Sequence, residues 1–254
     1  MTDVLVLCVF AFFGGLVDAV AGGGGLILVP ALFAVYPSAP PALLLGTNKL
    51  SSIAGTTFAT LRYAWSVPIR WRTILPAALV ACGGGLAGAK AVTLIEPGVL
   101  RPLILVMLGA VAIYTLARRN FGSAPDRRVR LEIEGPGVAA LAAVVGFYDG
   151  FFGPGAGSFF LFGLVRLFGY DFLGAAAATK VLNLATNFGA LMLFVASGNV
   201  LYAVGSPMAA SSIAGGLLGA QLAVRRGSRF IRWMFLLVVV ALILKLAYDL
   251  LLRP

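Results

Sequence analysis

Two acids, two lysines and two glycine-rich stretches are the residues of this chain equipped for chemistry in apolar surroundings, and they recur at one spacing. Asp18 stands four residues before Gly22, Gly23, Gly24 and Gly25, and Asp149 stands four residues before Gly153, Pro154, Gly155 and Ala156. The same shift of 131 positions carries Lys49 onto Lys180, Pro76 onto Pro207, and Gly84-Gly85-Leu86 with Gly88 and Ala89 onto Gly215-Gly216-Leu217 with Gly219 and Ala220. The chain therefore reads as two copies of one unit, each holding an acid, a glycine-broken segment and a lysine. Interrupted helices in matching positions of two membrane-embedded halves point to the binding site of a secondary transporter.

Four consecutive glycines propagate a helix poorly, because each costs about 1 kcal/mol relative to alanine. The 22–25 stretch is therefore expected to break the helix and leave backbone groups in need of a polar partner. A helix restarting near Leu26, and its counterpart starting at Ser158, would aim free amides and the positive dipole end back at the break. Two such ends facing each other would cradle an anion. The plainer alternative is that these glycines only let helices pack closely. A nucleotide-binding loop is excluded, since no strand precedes the glycines and no Gly-Lys-Ser or Gly-Lys-Thr follows them.

Downstream, Lys49 lies in Gly46-Thr47-Asn48-Lys49-Leu50-Ser51-Ser52, and Lys180 lies in Ala178-Thr179-Lys180-Val181-Leu182-Asn183. Each lysine sits about two turns inside an apolar run, where an unpaired ammonium costs several kcal/mol and demands a counterion or a polar cavity. Ser52 and Thr56, like Asn183 and Asn187, follow their lysine at i+3 and i+7 and extend one polar face. Two roles stay open. The lysines form structural bridges with Asp18 and Asp149, or they present positive charge to a small anion while the acids couple transport to a proton or a sodium ion.

The setting for these residues is a membrane. In 254 residues, 61% are hydrophobic and only 11% charged, with a mean hydropathy of +1.02, which leaves too little polar surface to cover a soluble domain. A helix crosses the hydrocarbon layer with roughly 20 apolar residues. Runs near that length cover 2–21, 42–63, 73–94, 99–117, 136–152, 173–196, 204–224 and 232–252, with shorter ones at 26–36 and 158–168. No alternating strand pattern occurs, so the expected fold is an all-α polytopic membrane protein in one transporter domain, bathed in lipid. The first run has no basic flank and no small-residue cleavage site after Asp18, and it is expected to be retained.

The formal net charge of +10 reflects arginines gathered in a few connections, which argues for membrane orientation and against nucleic acid. Arg62, Arg70 and Arg72, then Arg118, Arg119, Arg127, Arg128 and Arg130, then Arg225, Arg226, Arg229 and Arg232 mark the expected cytoplasmic side. Connections 37–41, 95–101 and 197–203 are nearly uncharged and are expected outside. Counting back from these sides, repeat 1 (about 2–118) starts outside and repeat 2 (about 136–252) starts inside, with 119–135 as linker. The expected architecture is two inverted-topology repeats with glycine-broken or re-entrant helices at 18–36 and 149–168. Whether these segments cross or dip in and return is open at this point.

Cys8 and Cys82 lie in apolar runs and read as small hydrophobes, and no cofactor is expected. A chain without histidine, with two separated cysteines, lacks the usual equipment for hydrolysis or zinc chemistry, so an enzyme is not expected. Lys90 can snorkel, and Lys245 and Asp249 stand at pairing distance on one helix. The glycines at 83–88 and 215–219 are packing surfaces within the subunit or between the subunits of a homodimer.

The acid before a glycine-rich break, the Gly46-Thr47-Asn48-Lys49-Leu50 stretch, the half-length repeat and the total length together resemble the TauE/SafE family of membrane transporters, also called the sulfite exporter or toluene-sulfonate uptake permease family. The resemblance extends over nearly the whole chain. It implies bacterial inner-membrane transport of small anions, often sulfite, sulfonates or sulfoacetate, and related organic acids. The site it implies comprises Asp18, Gly22 to Gly25, Asn48 and Lys49 in the first copy, and Asp149, Gly153, Gly155, Thr179 and Lys180 in the second. The second copy departs from the first with Ala178-Thr179-Lys180 for Thr47-Asn48-Lys49, and with Gly153-Pro154-Gly155-Ala156 for the four glycines. The rival reading is an anion channel or a non-transporting membrane partner, because broken inverted repeats also build channels.

Overall fold

The computed structural model describes residues 2–96, 98–100, 102–104, 106–107 and 131–252, with side chains described up to residue 230 apart from 131–133 and 228–229. Most of the expected run 99–117, the linker up to residue 130, and the side chains of Lys245 and Asp249 lie outside the described residues. Among the described residues every regular element is a helix: α1 (Thr2–Ala21), α2 (Gly25–Val35), α3 (Pro41–Ala64), α4 (Trp71–Leu94), α5 (Leu131–Phe151), α6 (Ala156–Phe168), α7 (Phe172–Ala196) and α8 (Tyr202–Leu252). The last is kinked at Gly227, where φ is 69°. Thr2–Ala21, Trp71–Leu94, Phe172–Ala196 and Tyr202–Gly227 are long and apolar enough to cross a membrane by length and composition. The 24 residues of α3 have the length, but the polar side chains between Thr47 and Thr60 dilute their hydropathy.

Two helical hairpins are made by the glycine breaks. Gly22 adopts φ 75° and ends α1, and Gly153 and Gly155, at φ 96° and 82°, separate α5 from α6. Only glycine takes such angles without steric cost. Helix α2 folds back on α1, so that Leu28 packs on Gly14 and Leu7, Ala11, Leu28 and Leu32 share one apolar cluster. Helix α6 folds back on α5 in the same way, with Leu141 against Gly163 and Phe168 against Gly137. The returning arms have 11 and 13 residues, or about 16–20 Å at helical rise, well short of a hydrocarbon layer of roughly 30 Å.

Helices α3 and α7 pass through the middle, with α1 lying on α8 and α5 on α4. The contacts obey the 131-residue shift when the halves are exchanged. A side chain at Gly15 would stand 2.5 Å from the Ser212 carbonyl oxygen, and one at Gly146, its counterpart, 2.8 Å from that of Ala81, the counterpart of Ser212. Gly216 likewise meets the backbone of Gly55, and Gly85 that of Thr186. The glycines at 84, 85, 88, 215, 216 and 219 are all covered inside the subunit.

One boundary differs from expectation. Helix α5 begins at Leu131, inside the stretch expected as linker, and the buried carboxylate of Glu134 ties this end to Arg70 and Tyr170. Its carboxylate receives both hydrogen bonds of a forked pair from Arg70, each 2.9 Å, and a third of 2.6 Å from the Tyr170 hydroxyl.

Candidate functional site

The two breaks meet back to back at the centre of the fold. A side chain at Gly157 would come within 2.5 Å of the Gly22 Cα, and one at Gly25 within 3.0 Å of the Pro154 Cα. The Ser158 amide donates to the Gly22 carbonyl at 3.2 Å, and the Ser158 hydroxyl to the Ala21 carbonyl at 2.8 Å. This corrects the expectation for the second copy: α6 starts at Ala156, and Ser158 stitches the breaks together instead of offering a free amide. The amides of Gly23, Gly24 and Gly25 have no backbone acceptor among the described residues, nor do those of Gly155 and Gly157. Unpaired amides at the start of a helix are the groups that bind anions.

Beside the breaks the lysines pair across the copies. Lys49 Nζ lies 2.8 Å from Asp149 Oδ1 and also donates to Asn187 Oδ1 at 3.0 Å. Lys180 Nζ lies 2.8 Å from Asp18 Oδ2 and also reaches the Asp18 carbonyl oxygen at 2.5 Å. Each acid closes the last turn of its helix before the break, and each lysine projects from the polar face of α3 or α7.

The two bridges are held unequally. Both Asp149 oxygens are engaged, because Thr186 donates to Oδ2 while Lys49 holds Oδ1, and its side chain is 6% exposed. At Asp18 only Oδ2 is engaged among the described residues, by Lys180 and by a long 3.5 Å contact from Thr56, and the side chain is 21% exposed.

A polar cavity opens between the bridges, lined by Asp18, Asn48, Lys49, Asp149, Asn183 and Asn187 with the break glycines 22, 25, 153 and 157 and with Ser52. Its free volume is about 20 Å³, room for one ordered water. Asn48 Oδ1 and Asn183 Oδ1 are buried without a hydrogen-bond partner among the described residues. Buried amides of this kind take solvent or a ligand as partner.

The family model described as Sulfite exporter TauE/SafE matches residues 7–246. The chain belongs to the TauE/SafE family. Among its relatives, a probable membrane transporter protein, ORF9, of Sinorhizobium sp is 38% identical over 96% of this chain and 92% of its own length. The probable membrane transporter protein YfcA of Escherichia coli strain K12 is 35% identical over 96% and 89%. A probable membrane transporter protein of Haemophilus influenzae is 34% identical over 96% and 94%. No solved structure matches the chain. The family and these relatives bear the names of membrane transporters and not of enzymes, which agrees with a membrane protein that carries long apolar helices.

In this TauE/SafE chain, nine of the residues singled out from sequence line the cavity: Asp18, Gly22, Gly25, Asn48, Lys49, Ser52, Asp149, Gly153 and Asn183. Gly23, Gly24, Gly155, Ser158, Thr179 and Lys180 do not. Lys180 stands behind Asp18, Thr179 is buried with its hydroxyl unpartnered, and Gly155 caps α6 in the left-handed conformation. Gly157 and Asn187 line the cavity without having been included in the expected site. Asn187 carried a signal, its place on the polar face at i+7 from Lys180. Gly157 carried none, because its partner under the shift is Leu26.

A second charged cluster lies away from this centre and was not legible in the sequence. Arg70, in the connection before α4, stacks its guanidinium 4.6 Å from the Tyr170 ring while both bind Glu134. Burial alone would lower the Arg70 pKa, but the hydrogen bond and charge of Glu134 hold it above the usual value. Burial and Glu134 also push the Tyr170 phenol upward.

Proposed function

We propose that this chain is a secondary transporter of small anions in the bacterial inner membrane, working by alternating access, with sulfite, sulfonates, sulfoacetate or related organic acids as its substrate class. The observation that carries this reading is the pair of Lys–Asp bridges that cross between the copies on either side of a small polar cavity, whose lining includes Gly25 and Gly157. A rocking of one copy against the other must stretch both bridges, which frees the lysines to meet an anion and the acids to take up a proton or a sodium ion. The exchange of contacts under the shift of 131 positions supports two inverted repeats. The arginines of the connections favour a cytoplasmic location for them. The sulfur substrates come from the family's description and from no residue of this chain.

A cavity that holds one water and no oxyanion favours a carrier over an open channel, since substrate can enter only if the helices move. Counterflow in proteoliposomes over a panel of sulfite, sulfonates and carboxylates tests the reading. Saturable exchange of at least one anion is expected. Conductive flux that rises without saturation, or no exchange of any anion by correctly inserted protein, would overturn it.

A further inference from the structure

We infer that Asp18 belongs to a binding site for sodium, formed with Ser52, Thr56 and Ser212, and that its occupancy favours binding of the anion. The inference rests on the anion-transport reading for its second clause only. Beyond the central cavity, Asp18 also lines a smaller one of about 10 Å³, shared with Ser52 and Thr56 of α3, Ser212 of α8, and Gly14, Gly15, Gly24 and the apolar Leu28 of the first hairpin. That volume admits one water-sized species. Its polar walls are a carboxylate and three hydroxyls, the hard oxygen donors that suit a small cation of low charge. Asp18 Oδ1 makes no hydrogen bond among the described residues.

The second copy supplies the contrast. Under the 131-residue shift, Gly14 becomes Val145, Leu28 becomes Phe159, Thr56 becomes Asn187 and Ser212 becomes Ala81. Val145 is buried and Phe159 packs edge-on against Tyr148 at 5.3 Å, while Asn187 is spent on Lys49. Asp149 has both oxygens occupied, by Lys49 and Thr186. The same position of the fold thus carries three hydroxyls in one copy, whereas in the other Ser52 and Thr56 are replaced by the amides of Asn183 and Asn187, and Ser212, Gly14 and Leu28 by Ala81, Val145 and Phe159.

Charge supplies the coupling. Lys49, Lys180, Asp18 and Asp149 sum to zero, so an anion entering this centre would bring an uncompensated charge into a low-dielectric site. A sodium ion on Asp18 leaves the bridge to Lys180 intact and makes the centre positive. It also sits at the carboxyl end of α1, where the helix dipole and unwound carbonyls favour cations. By linkage, whatever sodium does for the anion, the anion does for sodium.

The test is equilibrium binding of radioactive sodium to the purified full-length protein, with choline replacing sodium at constant ionic strength. Wild type should bind saturably. Asp18→Asn should abolish binding, while Ser212→Ala and Thr56→Val, which keep the ion pair and hence the fold, should each weaken it about tenfold or more. Thr93→Ala, at an exposed position of α4, should leave it unchanged. No saturable sodium binding by a wild type that still exchanges anions would overturn the inference, as would undiminished binding in both hydroxyl variants. Accumulation that follows a proton gradient and ignores sodium would also overturn it. Saturable sodium binding in a protein that exchanges no anion would support the site and remove the transport reading instead.

Discussion

Lys49 and Asp149 stand 100 residues apart in sequence and 2.8 Å apart in space, one in each copy. The reciprocal pair, Lys180 with Asp18, closes the same distance from the other direction. Each lysine is thus neutralised by the acid of the other copy, so the two bridges tie the halves together beside the cavity.

Removing one member of the tighter bridge should cost more than removing both. Lys49→Ala leaves Asp149 buried and uncompensated, a cost of roughly 3–5 kcal/mol. A clearly lower melting temperature in detergent is expected for Lys49→Ala, with much of the loss recovered in Lys49→Ala/Asp149→Ala. A double variant no more stable than the single one would contradict this.

The looser bridge should matter for coupling more than for stability. Asp18→Asn keeps the shape and some hydrogen bonding of the side chain but removes its charge. Counterflow should persist in this variant while accumulation driven by an ion gradient is lost. Asp149→Asn should instead lower the melting temperature, because Asp149 binds through both oxygens.

Gly22→Ala should abolish transport. At φ 75° a side chain is strained by about 1–2 kcal/mol, and here its first carbon would also run into the backbone of Gly157 and Ser158. Gly83→Ala, where nothing lies within 4 Å, is the matched control and should transport normally.

Membrane sidedness is testable by cysteine labelling in a Cys8→Ser/Cys82→Ser background. Single cysteines in 197–203 should react from outside and those in 225–231 from the cytoplasm. The same side for both would contradict the inverted arrangement.

Tyr170→Phe should destabilise by roughly 1–3 kcal/mol through loss of a hydrogen bond to the buried Glu134. The phenol's pKa is raised, so its contribution is complete below its ordinary value of about 10 and fades only as pH rises past that. The difference in melting temperature between wild type and Tyr170→Phe should be flat from about pH 6 to 9.

Composition alone dictated helices, because backbone groups in hydrocarbon must pair within one segment. The glycine runs marked the breaks, since four glycines cannot carry a helix, and the shift of 131 positions declared the two copies. The polar faces after Lys49 and Lys180 were readable from helical spacing, and Ser52, Asn183 and Asn187 do line the cavities. Tertiary structure decided what those residues face. Local periodicity says which side chains share a face of one helix, whereas pairing across copies depends on how hairpins and central helices stack. So the crossing of Lys49 to Asp149 and of Lys180 to Asp18, the seam between Gly22 and Gly157, and the arrival of Ser212 behind Asp18 had no trace in the chain order. Glu134 shows the same limit: it read as one charge in a polar linker until folding brought Arg70 and Tyr170 around it.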